Sequence, residues 1–130
     1  MNRVPVNFAD VKDSPVIVGP RRWRINSTYD IFNQNHYWHG QAGWYAISQM
    51  QDHHRLNVCR FLQARAAEIQ MLYIFSMPDP GNFLQGDHAL DEAYRLAELE
   101  GEEVMAMKPR EWLHQTPLFK RMALGVYDVR

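Results

Sequence analysis

The chain has 130 residues, 46% hydrophobic and 22% charged, with a formal net charge of −1 and six Phe, six Tyr and four Trp to build a core; this excludes disorder over most of its length and a surface that binds polyanions everywhere. The longest apolar run, Met71 to Phe75, is far short of the roughly 20 residues that cross a bilayer, and no basic, then apolar, then small-residue leader opens the chain. A single cysteine, Cys59, leaves no internal disulfide and fits a reducing, cytoplasmic setting.

Charge is uneven along this one expected domain, 1–130. Residues 1–35 carry five basic side chains against three acidic, residues 86–105 seven acids and one arginine, and residues 108–130 five basic against two acidic. A basic head, an acidic middle and a basic tail either complement one another in the fold or offer a partner a surface of mixed sign.

In chain order, residues 1–35 read as an extended, loop-rich arm. Within it Val16-Ile17-Val18, between Pro15 and Gly19-Pro20, predicts a short strand, and the polar residues from Asn26 to Asn35 predict a loop. Residues 36–47 predict a hairpin, with aromatic residues flanking Gly40-Gln41-Ala42-Gly43. Ser48, with Gln51 three residues on, matches a capping box. No Gly or Pro follows until Pro78, so residues 48–77 predict one long central helix. Its second half is apolar on nearly every side, which predicts burial within the domain or in the seam of a homodimer. Asp87 opens a second helix ending near Gly101, Pro109 a short third one through His114, and Thr116-Pro117 a last turn or two. The fold class expected is mainly helical α+β: a short hairpin packed on the long helix, with two or more smaller helices.

On a helical wheel Met50, His54, Asn57, Phe61, Arg65, Glu68 and Leu72 fall in one sector. His54, Asn57 and Arg65 are therefore candidate binding residues. The alternative is that His54 and Asn57 satisfy backbone groups of the hairpin and act as scaffold. Arg21, Arg22, Trp23 and Arg24 form a second candidate, because arginine pairs with phosphate and tryptophan stacks on bases. The same segment could equally lie over the acidic helix.

Metal ligation is poorly served. His36 and His39 point to opposite faces of a strand, and His53 and His54 diverge on a helix. No Gly-rich phosphate loop, nucleophile elbow or dinucleotide fingerprint occurs, so neither a catalytic set nor a cofactor is assigned.

The block Met50-x-Asp52-x-His54-x-x-Asn57-x-x-Arg60-Phe61-Leu62-x-x-Arg65 resembles segments of small bacteriophage- and prophage-encoded proteins, as do Trp38 and Gly43 upstream and Thr116-Pro117-Leu118-Phe119 near the end. The resemblance spans about residues 38–66 and that terminal step. It implies a viral accessory origin in a host cytoplasm and no particular reaction. The function expected is non-enzymatic binding to a protein partner of host or phage origin, such as a host-defence or host-machinery component. The alternatives are a nucleic-acid binder using Arg21 to Arg24, a virion component and a small metal-dependent hydrolase.

Overall fold

A computed structural model describes residues 14–21, 24–78 and 87–128, with side chains of the last segment from residue 89. The fold is mainly helical α+β. The elements are β1 (Val16–Ile17), α1 (Thr28–Phe32), β2 (Tyr37–His39), β3 (Trp44–Ala46), a 3₁₀ turn (Ile47–Gln49), α2 (Asp52–Ala64), α3 (Ala66–Phe75), α4 (Asp87–Ala106), α5 (Pro109–Gln115) and α6 (Pro117–Ala123).

The hairpin forms where the aromatics and glycines place it. Gly40 donates its backbone N–H to the Gly43 carbonyl at 2.9 Å, and Gly43 takes φ +141°, a conformation that disfavours any side chain. The three strands are antiparallel in the order β1-β3-β2. Register pairs Val16 and Trp38 with Tyr45, and Ile17 and His39 with Trp44. Side chains alternate across a strand, so Tyr45 and Trp38 turn inward while Trp44, His39 and Tyr37 line the other face. Trp44 lies directly on Gly19, where a Cβ would stand 2.2 Å from its ring.

The segment expected as a loop, Asn26 to Asn35, contains α1. Ser27 Oγ accepts the Asp30 backbone N–H at 3.1 Å, an N-cap that satisfies one of the orphan donors of the first turn. Phe32 is then buried, with its ring 5.6 Å from Trp112. Tertiary packing outweighs the turn-forming composition here.

The expected long helix is interrupted. Ser48 lies in the 3₁₀ turn and does not cap, and α2 starts at Asp52. At Arg65 (φ −115°, ψ 21°) the chain leaves helical geometry, and its N–H is shared between the carbonyls of Phe61 and Leu62. The two halves have different neighbours: α2 lies against α6, and α3 against α5 and α1. Absence of Gly and Pro permits a continuous helix, but packing on separate supports divides it. The buried series Val58, Leu62, Ala66, Gln70 and Tyr73 still continues across the break.

Helix α4 runs through Gly101 to Ala106. The buried Gln70 amide donates to the carbonyls of Val104 and Met107 at 2.9 and 3.0 Å, so a side chain of α3, rather than the glycine, finishes this end. Pro109 and Pro117 begin α5 and α6 as expected, and Thr116 Oγ1 accepts the Phe119 N–H at 3.3 Å. Tyr45, Ile47, Leu62, Leu113, Leu118 and Phe119 meet in the core between sheet and helices. No helix among the described residues is long and apolar enough to cross a membrane.

Candidate interaction surfaces

The sector read from the wheel does not lie on one helix: Met50 stands before α2, His54, Asn57 and Phe61 are in α2, Arg65 is at the break, and Glu68 and Leu72 are in α3. Met50 precedes α2 and is buried. His54, 5% exposed, presents its ring to the edge of Tyr45, with centroids 4.7 Å apart at 86°. Its Nδ1 lies 2.9 Å from Ser14 Oγ, and that oxygen accepts the Gln51 backbone N–H at 3.0 Å. With one hydrogen and two lone pairs, the Ser14 hydroxyl serves the Gln51 N–H and the His54 imidazole together. The Ser14–His54 pair thus ties β1, the hairpin and the start of α2 together. Asn57 is half-buried and partnered.

Arg65 is eleven residues beyond His54, about 16 Å along a helix, and the structure does not gather the two into one concavity. Arg65 lies over the Phe61 ring at 5.3 Å and 3.6 Å from Glu68, both side chains more than half in solvent. Arg21 and Arg24 are exposed, and the Arg24 N–H donates to the Arg21 carbonyl at 2.9 Å. Arg22 and Trp23 lie outside the described residues.

Buried chemistry on the covered side is structural. Cys59 is fully buried, and burial pushes its thiol up to about 12, so it is inert in the fold. His114 is held below the ordinary imidazole value, first by burial and then by Arg110; its Nε2 donates to Gln63 Oε1 at 2.7 Å. Among the described residues no group of three His, Cys, Asp or Glu is placed to hold a metal.

Among the described residues, two helical faces are exposed and apolar. The first follows α2 and α3: Phe61, Arg65, Glu68, Leu72 and Phe75, with Met71 beside them. Leu72 is 55% and Phe75 76% exposed, so within the chain the all-apolar half is covered only on the side of Ile69, Tyr73 and Ile74. The second is the outer side of α4. Leu90, Ala93, Ala97, Gly101 and Val104 turn toward the body, and Glu92, Leu96, Leu99 and Glu103 share the opposite side. Leu96 and Leu99 are 54% and 44% exposed. Glu100 and Glu102 stand exposed at helix-neighbour positions beside them, and Arg95 pairs with Glu92 on the same side.

Sequence reasoning singled out His54 but missed four residues that make long-range bonds. Ser14 and Gln70 supply bonds 40 and 34 residues away. Arg55 donates to the Met122 and Leu124 carbonyls at 3.1 and 2.8 Å, closing the end of α6. Asn33 bonds the Tyr73 hydroxyl. Local spacing carries no signal for such distant pairs.

No protein-family model matches the chain, and no curated protein or solved structure is significantly similar to it.

Proposed function

We propose that the chain is a small phage-encoded accessory protein that works in the host cytoplasm by binding a protein partner, without catalysis. The observation that supports this reading is the outer side of α4, where Leu96 and Leu99 are exposed among Glu92, Glu100, Glu102 and Glu103. Covering such leucines releases about 25 cal/mol per Å² of apolar area. The acids around them repel a second copy of the same face and attract a basic rim. The partner chemistry is therefore a basic surface enclosing an apolar hollow. Basic surfaces are the footprint of proteins that handle nucleic acid, the group a host-directed inhibitor of this chemistry would engage.

Affinity capture from bacterial lysate tests this, with the tagged wild-type chain beside a Leu96→Asp/Leu99→Asp variant of matched thermal stability. Basic proteins retained by the wild type, released by salt and missing from the variant are the expected result. Equal retention by both chains, or none by either, overturns the reading.

A second reading rests on a different observation. Gly19 against Trp44 brings exposed Arg21 within two residues of a sheet face lined by Tyr37, His39 and Trp44. Aromatic platforms beside arginines bind single-stranded nucleic acid. This reading requires retention on oligonucleotides that weakens steeply with salt, and no retention at low salt removes it.

A further inference from the structure

We infer that the open face of α2 and α3 is the seam of an antiparallel homodimer. Phe61, Arg65, Glu68, Leu72 and Phe75 are spaced four, three, four and three residues apart, the interval that keeps a seam on one side of paired helices. Across the break at Arg65 the bonds from the Arg65 N–H to the Phe61 carbonyl (3.2 Å) and from the Ile69 N–H to the Arg65 carbonyl (3.0 Å) persist, and all five side chains are exposed. Their order is apolar, positive, negative, apolar, apolar. The first four read the same in reverse with the charges exchanged. A two-fold axis between Arg65 and Glu68 therefore sets Phe61 against Leu72 of the second copy and Arg65 against its Glu68, and symmetry repeats both contacts. Other arrangements are penalised. Parallel pairing places Arg65 on Arg65, and an axis through Glu68 places two carboxylates together. The charge order thus fixes both direction and register.

The geometry leaves room for this exchange. Within one chain Arg65 and Glu68 are 3.6 Å apart and their side chains are 55% and 70% exposed, so each keeps free capacity for a group of the second copy. Ala64 and Ala67 are exposed beside them and keep the middle of the face low. The contrast with α4 supports a second copy as occupant here: this face is charge-balanced, whereas the other is acidic and self-repelling.

Sedimentation velocity on the full chain over a concentration series tests the seam, using Arg65→Glu, Glu68→Arg, the double exchange and Phe75→Asp. The wild type is expected to dimerise reversibly. Each single charge reversal puts like charges together twice and is expected to raise the dimer dissociation constant about tenfold or more. The double exchange restores the pairing with roles swapped and is expected to recover most of that loss. Phe75→Asp is expected to weaken the dimer, and Leu96→Asp/Leu99→Asp to leave it intact. All these positions are exposed, so the thermal melts of the variants serve as the folding control. A wild type that stays monomeric throughout, single reversals without effect, or a double exchange no better than the singles would overturn the dimer. None of those results bears on capture of a basic partner through α4.

Discussion

The line of residues along α2 and α3 begins under the sheet and ends in water. At its start His54 is enclosed by Tyr45 and bonded to Ser14; at its end Leu72 and Phe75 are more than half exposed. On the wheel these residues are equivalent. What separates them is cover: Tyr45 of the hairpin and Ser14, ahead of β1, close over the first turn of α2, and no described element reaches the outer side of α3. The comparison teaches that a polar residue on a mixed face can be scaffold while an apolar one on the same face is available to a partner. The imidazole is enclosed, in the scaffold role that was one of the two expected for it, and the phenyl ring of Phe75 is open.

The difference is open to attack by substitution, starting at the covered side. Leu62→Ala, at a fully buried position of α2, is expected to cost about 2–5 kcal/mol in urea unfolding, and a loss below 1 kcal/mol would mean that this side is not the core. His54→Ala removes the partner of Ser14 and is expected to cost about 1–3 kcal/mol. His114 adds a pH dependence. Its folded pKa lies below the ordinary 6.5, so the unfolded chain takes up the proton first as pH falls through that value. Stability is expected to be insensitive to this group above 6.5 and to decline from there toward the lower folded value, and His114→Gln should remove that component. Tyr45→Phe acts in the other direction. The hydroxyl is buried with no hydrogen-bond partner among the described residues, so its removal is expected to be neutral or stabilising by up to about 1 kcal/mol. Smallest of all, Leu72→Ala is expected to change the stability of the dissociated chain by about 0.5 kcal/mol or less. A cost like that of Leu62→Ala would erase the contrast between the two sides.

Elements whose signals are local were legible in the sequence. Gly40 and Gly43 mark the hairpin, Pro109 and Pro117 mark the starts of two helices, and Val16-Ile17 marks the short strand. Elements decided at long range were not. Thr28–Phe32 is helical because Ser27 caps it and Phe32 finds Trp112. The break at Arg65 reflects separate supports beneath α2 and α3, which no spacing records. Gly101 reads as a stop, yet α4 continues to Ala106 and Gln70 bonds the carbonyls at its end. For the candidate surfaces, the wheel put Phe61, Arg65, Glu68 and Leu72 on one side correctly. It could not show which end of that side the sheet covers, since cover depends on where Ser14 and Tyr45 arrive.

The most direct test of the open face is hydroxyl-radical footprinting of the full chain as its concentration is raised. Phe61, Met71, Leu72 and Phe75 are expected to become protected together as the chain associates, while Leu96, Leu99 and Met105 on α4 keep their reactivity. Unchanged reactivity along α2 and α3 at every concentration, or protection that falls on α4 instead, would contradict the assignment of that face to a second copy.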